Sequence, residues 1–309
     1  MIEQFGVITN CTARKRALEP VARLRPAQLK GDAAQVADRW WSATANMQAT
    51  TTAGELYLGR AMAESKAVAA QLRGSLHVIS AGLGLAAKDD AVPNYDMTVA
   101  SGAGSLAPAL AAAGSNTADW WQELNMRKGT PSPLSQLVNR SSATRFLIAL
   151  PSAYVEMLER DLAQIADKAL SRLCIFTSTS GAKSVPTRLQ ACVLPYDERL
   201  EGQQGYAGTR SDFPQRAMRH FVEKLEGHYL GNALAQAAVR QALDLLQKPT
   251  IPQRVRKTDA EILDLIRTQW RHHAGSSSRL HRYLRDTALV ACEQARFGGL
   301  WRLVKAEMP

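Results

Sequence analysis

The segment Asn10-Cys11-Thr12-Ala13-Arg14-Lys15 sets a thiol four residues ahead of a primary amine. A nearby ammonium favours the thiolate, the form of cysteine that attacks carbon. The same residue types also fit a blander use, because a free cysteine often serves as a small buried hydrophobe and a lone lysine as a solvated charge. Two further segments display polar groups. Ser80-Ala81-Gly82-Leu83-Gly84-Leu85 is punctuated by Gly82 and Gly84, and its backbone N–H groups with the Ser80 hydroxyl suit either a bound anion or an ordinary tight turn. Pro93-Asn94-Tyr95-Asp96-Met97-Thr98 offers Asp96 to orient a water or a ring N–H. Tyr95 and the later Trp120 fit either the core or stacking on a flipped base. Asn10 and Thr12 flank the thiol as candidate substrate contacts, and Arg14 and Arg16 are candidate contacts for nucleic-acid phosphates.

These pieces meet only if the elements around them bring them together. Residues 5–9 (FGVIT) predict a short buried strand that opens into the polar segment 10–16, which puts residue 11 at a strand end. Ala-rich, proline-free stretches at about 32–46 and 53–72 predict helices, the second with Leu56, Met62, Val68 and Leu72 at near-helical spacing. Residues 77–80 predict a second strand, followed by a loop through Gly82, Gly84 and Pro93. Residues 145–150 predict a third strand, leading into a helix at about 152–170 with a stripe of Tyr154, Leu158, Leu162 and Ile165, and 173–177 return to the sheet. Residues 180–214 are punctuated by Gly and Pro, and 215–247 read as one long helical region. The low-complexity stretch 101–117 fits a lid, an Ala helix or a linker. The pattern is α/β, a mixed sheet core with flanking helices, in which strand ends converge on one crevice.

The stretch 249–256, with two prolines in four residues, predicts a linker between an α/β domain at 1–248 and a segment at 249–309. That segment predicts three helices at 258–272, 277–286 and 289–306, the first with Thr258 as N-cap, in the manner of a helix-turn-helix variant. Residues 251–309 hold eleven Lys or Arg against six Asp or Glu. Arg279, Arg282, Arg296 and Arg302 suit phosphate or base-edge contacts, while Leu280, Leu284, Leu300 and Leu303 suit a small core. A helical cap with solvated arginines is the alternative.

The whole chain of 309 residues carries 38 Lys+Arg against 28 Asp+Glu, a formal +10 with a pI near 9.7, and so draws polyanions. Cys11, Cys174, Cys192 and Cys292 lie far apart with no CxxC spacing, against a zinc ribbon or a disulfide framework. The six histidines form no HExxH pattern, so neither a metal nor a cofactor is expected. The start lacks a secretory pattern and the apolar runs are too short to span a bilayer, so a cytoplasmic protein with no membrane partner is expected.

Residues 3–125 resemble the superfamily of YaaA-like DNA-binding proteins, a domain of archaeosine synthase and the DpdC-type proteins of 7-deazaguanine DNA-modification clusters. The resemblance rests on the strand followed by Cys11-x3-Lys15, the segment Glu55-Leu56-Tyr57, the Ser80 to Leu85 turn, Tyr95-Asp96 and Trp120-Trp121. Arg16-Ala17 stand where the archaeosine synthase motif continues Pro-Tyr, which speaks against a lysine-adding reaction. What the resemblance implies is a site for a 7-deazaguanine base and, as in DpdC-like proteins, hydration of a 7-cyano group in DNA to a carboxamide. Cys11 would be the nucleophile, Lys15 the proton carrier, Asp96 an orienting group, and Asn10, Thr12, Ser80, Gly82, Gly84, Tyr95 and Trp120 the substrate contacts. DNA is the expected partner, with other proteins of a modification cluster. The rival expectations are a non-catalytic DNA binder of YaaA type, in which Cys11 is only packed, and an RNA-modification or RNA-binding protein.

Overall fold

The computed structural model describes residues 5–17, 19–24, 26–100, 105–143, 145–249 and 253–308. They divide into two compact units, Met1–Lys248 and Pro249–Pro309. The fold class is mixed α/β, as the residue patterns predict.

The strands of the larger unit are β1 Phe5–Asn10, β2 Val21–Ala22, β3 Thr51–Thr52, β4 Ser75–Ser80, β5 Gly84–Ala87, β6 Ala91–Val92, β7 Asn94–Tyr95, β8 Arg145–Ala149 and β9 Leu173–Phe176. Five of them form the main sheet in the order β5-β4-β1-β8-β9. β1 runs parallel to β4 and to β8, β9 runs parallel to β8, and only the edge strand β5 is antiparallel. β2 pairs with β7, and β3 with β6, as separate two-stranded ribbons. Every residue of β1, β8 and β9 is buried, as parallel strands covered on both faces require.

The crossover from β1 to β4 carries α1 (Ala33–Thr44), α2 (Ala53–Leu56) and α3 (Arg60–Leu72), and that from β4 to β8 carries α4 (Ala107–Ala112), α5 (Thr117–Met126) and α6 (Pro133–Arg140). α3 of the first crossover packs against β1 and α10, whereas α1 of the same crossover packs against α5 of the second. Capping boxes start α1 at Asp32 with Gln35 and α5 at Asn116 with Asp119.

Tertiary packing divides several elements that the periodicity reads as continuous. The helix expected over 53–72 breaks after Leu56, because Tyr57 is extended and bridges to Lys15, and Gly59 lies at φ 98° before α3 restarts. The expected loop after β4 is a hairpin in which Gly84 pairs with Ser80. The 152–170 helix is α7 (Ser152–Met157) and α8 (Glu159–Leu162) followed by a 3-10 turn at Asp167–Arg172. Within α8 the buried Asp161 carboxylate accepts from Trp121 Nε1 at 3.0 Å and from the N–H groups of Leu134 and Ser135 that open α6. The 180–214 stretch holds α9 (Thr179–Ser184) among short 3-10 turns. The 215–247 region splits into α10 (Phe213–Glu223) and α11 (Asn232–Asp244), where Glu226 is left-handed and Gly227 lies against the Phe221 ring. Of the low-complexity stretch, 101–104 lie outside the described residues and 107–112 are helix.

The smaller unit has its own core beneath α12 (Asp259–Gln269), α13 (Ser277–Asp286) and α14 (Gln294–Glu307). Thr258 and Glu261 form a capping box on α12. α14 starts at Gln294 rather than 289, because the chain before it is extended and Val290 bridges to Val255. Leu280, Leu284 and Leu300 are core residues as expected, but Leu303 is 55% exposed and Val304 takes its place.

In the larger unit, His220 on α10 is buried against Tyr196, whose hydroxyl lies 2.9 Å from Nδ1. Burial first, then Lys224 and Arg219, pushes its pKa from 6.5 down to about 4. In the unfolded chain His220 takes up a proton near its ordinary pKa, and in the folded chain it does not until about pH 4. Falling pH through that window therefore favours unfolding, by on the order of 2–3 kcal/mol. Urea unfolding should show this loss of stability between about pH 6.5 and 4, with a shallower slope in His220→Gln. Equal slopes in the two proteins would remove His220 as its source.

Candidate functional site

Cys11 follows directly on β1, and its N–H donates to Ile79 O of β4 at 2.8 Å, so its side chain stands at the carboxyl ends of adjacent parallel strands. Open α/β sheets place ligands at such ends. The sulfur is buried, with Tyr154 Oη at 3.0 Å and the Ala81 N–H donating to it at 3.4 Å.

The Ala81 N–H is held there by a turn whose successive carbonyls are each taken by a different side chain. Trp120 Nε1 donates to Ala81 O at 2.8 Å, Trp40 Nε1 to Gly82 O at 2.7 Å, and Lys128 Nζ to Leu83 O. Ser80 Oγ accepts the Leu83 N–H at 2.9 Å. A Cβ on Gly82 would stand 2.7 Å from the Tyr95 ring and 2.9 Å from Trp40, so only glycine fits. Gly84, at φ 74°, has the Asn125 Oδ1 where a Cβ would stand.

Beside the sulfur runs a chain of hydroxyls: Ser80 Oγ lies 2.8 Å from Tyr95 Oη, which lies 3.1 Å from Tyr57 Oη. Burial pushes the pKa values of Tyr57, Tyr95 and Tyr154 well above the ordinary phenol range, so all three keep their protons at neutral pH. The Lys15 ammonium stands 4.3 Å from the centroid of the Tyr95 ring and 6.0 Å from that of Tyr57. Burial lowers its pKa, and the charges of Cys11 and Asp96 oppose that shift. Among the described residues no carboxylate lies within ion-pair distance of Lys15.

On the other side, Gln215 of α10 reaches between β1 and β8, where the direction of the crossovers reverses. Its Nε2 lies 3.1 Å from Thr9 Oγ1, 2.8 Å from Asn10 Oδ1 and 2.9 Å from Ala149 O. Asn10 Nδ2 in turn donates to Cys11 O at 2.7 Å. Tyr154 and Gln215 are therefore site residues that sequence reasoning misses. Tyr154 reads as one member of an apolar stripe, and nothing in the spacing around Gln215 distinguishes it.

The structure thus gathers Cys11, Lys15, Asn10, Ser80 and Tyr95. Asp96 is exposed and pairs with Arg23 at 3.4 Å. Thr12 Oγ1 braces its own loop, 2.8 Å from Arg14 O and 2.7 Å from Leu58 O. Trp120 is wholly buried with its N–H committed and Tyr95 is 1% exposed, so in this arrangement neither ring has a face open to a flipped base. Gly82 and Gly84 shape the turn and the hairpin. Arg14 is exposed, and exposed Arg16 pairs loosely with Glu55 at 3.5 Å. Two open clefts flank β5, and Cys11 lines neither of them.

In the smaller unit Arg279 and Arg282 are exposed on α13 and Arg302 on α14, with no side-chain partner among the described residues. Arg285 continues the α13 stripe, though its spacing does not single it out in the sequence. Arg296 is otherwise engaged, at 2.6 Å from Asp259 and 2.9 Å from Lys257 O, so most of its charge is already answered. Among the described residues no group of three or more metal-ligating side chains occurs, and no helix is long and apolar enough to cross a membrane.

Comparison with known proteins adds no relative: no family model, curated protein or solved structure matches the chain.

The Gly82→Ala substitution should cost about 1–3 kcal/mol, the range of an overpacked core, because the Tyr95 and Trp40 rings must both give way. Chemical denaturation measures the destabilisation, and a variant as stable as the parent would mean that the turn is not held as described.

Proposed function

We propose that the larger unit is a thiol-dependent enzyme that hydrates the nitrile of a 7-cyano-7-deazaguanine base in DNA to the carboxamide, while the smaller unit grips phosphates. The environment of the Cys11 sulfur carries this reading. An N–H and a phenol hydroxyl converge on it, and a lysine that burial biases toward losing its proton lies close by. The choice of base follows the resemblance of residues 3–125 to the 7-deazaguanine family.

Lys15 in its neutral form takes the thiol proton, and the Cys11 sulfur adds to the nitrile carbon. The nitrile nitrogen receives that proton, which leaves a neutral thioimidate. Water then adds to the same carbon, the carbon–sulfur bond breaks, and the amide departs as the thiol regains its proton. Tyr154 and the Ala81 N–H, both directed at sulfur, stabilise the thiolate before attack and after release. Because the sulfur is buried, the base reaches it only if some of the surrounding chain moves aside.

Incubation with DNA containing the cyano base, followed by nucleoside mass analysis, should show gain of one water with the parent protein and none with Cys11→Ser. Lys15→Ala should collapse turnover as well, and the double variant should be scarcely worse than either single one. Full conversion by a folded Cys11→Ser protein would end the thioimidate route.

The burial of Cys11 favours a second reading, a DNA-binding protein in which the thiol is only packed. It requires that Cys11→Ala keep both DNA affinity and function. Under either reading, replacing Arg279, Arg282 and Arg302 together by Gln should weaken duplex binding and flatten its salt dependence. The slope of log affinity against log salt should fall by roughly 0.9 for each phosphate that is no longer neutralised. An unchanged slope would place the phosphate-binding groups elsewhere.

A further inference from the structure

A cleft of about 610 Å³ opens between β5 and α6, away from Cys11. Its size is that of a small-molecule site, about 300–1,000 Å³. Leu85, Pro133 and Leu137 give it an apolar wall, and Lys128 and Arg140 supply two positive charges. Among the described residues no carboxylate lines it. The nearby Asp90 lines an adjoining cleft that shares Leu85 and Lys128 with this one; its charge acts on the Lys128 ammonium, while its carboxylate accepts the Ala87 N–H at 2.8 Å.

The ordinary use of Arg140, in the last turn of α6, would be to answer the carbonyls at the end of that helix. Arg172 already fills that position. Its guanidinium donates to Val138 O at 3.0 Å, to Ser141 O at 3.0 Å and to Ala143 O at 2.8 Å. Arg140 is exposed and has no side-chain partner among the described residues. Lys128 is exposed too, but its ammonium donates to Leu83 O, and burial lowers its pKa. One of its three N–H bonds is committed there, which leaves donors for a ligand. Gln136 lines the same space with both a donor and an acceptor and has no side-chain partner among the described residues.

We infer that this cleft binds a nucleotide unit, with its phosphate between Lys128 and Arg140 and its base against Leu85 and Leu137 within reach of Gln136. Two cations select an anion, and the volume exceeds what a bare phosphate fills. An apolar wall beside an unengaged amide suits a flat ring with hydrogen-bonding edges. The unit can come from a free nucleotide or from a strand, and the site stands whether or not Cys11 is a nucleophile.

The test uses the full chain and its Arg140→Glu variant, titrated with deoxyguanosine monophosphate and, separately, with a short single-stranded oligonucleotide. Arg140 is exposed and makes no side-chain hydrogen bond or ion pair among the described residues, so the variant should fold, and its thermal unfolding checks this. The parent should bind at least one of the two probes, and Arg140→Glu should weaken that binding by at least about tenfold, as removal of a charge-assisted hydrogen bond implies. Binding of the mononucleotide identifies the free source; binding of the oligonucleotide alone, with the same weakening, identifies the strand. Cys11→Ser should bind like the parent, which separates this site from the proposed chemistry. Equal affinity of parent and Arg140→Glu for every probe that binds, or no binding of either probe, would overturn the inference.

Discussion

The parallel pairing of β1 with β4 on one side and β8 on the other governs the larger unit. A strand buried on both faces has no water for its backbone groups, so each N–H and C=O must find a partner in the protein. β1 meets that demand through its two neighbours, and the ladder continues one residue beyond it, to the Cys11 N–H on Ile79 O. Parallel strands need long crossovers. Those crossovers deliver α1 and α5 with the indoles that hold the turn after β4, and α7, after β8, delivers Tyr154. Where β1 and β8 end, the ladder runs out, and Gln215 closes it by answering Ala149 O.

The turn between β4 and β5 shows how a polar network fixes a site inside a core. Each bond from Trp40, Trp120 or Lys128 adds about 1 kcal/mol net, but removing a partner would strand a buried carbonyl at about 1–3 kcal/mol. The turn is therefore stiffer than a glycine-rich sequence suggests, and its Ala81 N–H stays on the Cys11 sulfur. The same reasoning applies between α3 and α10. The buried Glu64 carboxylate receives Arg60 at 2.9 Å and Arg219 at 2.6 Å. Arg216, fully buried, is answered by Asp212 and Glu201. Such pairs add little net stability when both partners are present, but breaking one leaves a buried charge.

Net charge and available charge differ for the same reason. Arg296 and Arg267 in the smaller unit are tied to Asp259 and Glu307, whereas Arg279, Arg282 and Arg302 are not tied to any carboxylate among the described residues. A polyanion answers to the second group, since the paired cations have already exchanged water for a protein carboxylate.

The sequence by itself determined the α/β class, the strands around 5–9, 77–80, 145–150 and 173–177, and the place of Cys11 at a strand end. Those features are local: a run of apolar residues bounded by polar ones predicts a buried strand whatever surrounds it. Caps are local as well, as Thr258 with Glu261 shows. Only the tertiary structure decided that Tyr57 breaks a helix, that Trp120 and Tyr95 pack inward, that Asp96 faces outward, and that Tyr154 and Gln215 join Cys11. Each of these depends on a partner far along the chain, or from another crossover, and periodicity within one element carries no trace of it. Which arginines remain free was settled the same way, because an ion pair between α12 and α14 is a property of their packing and not of either helix alone.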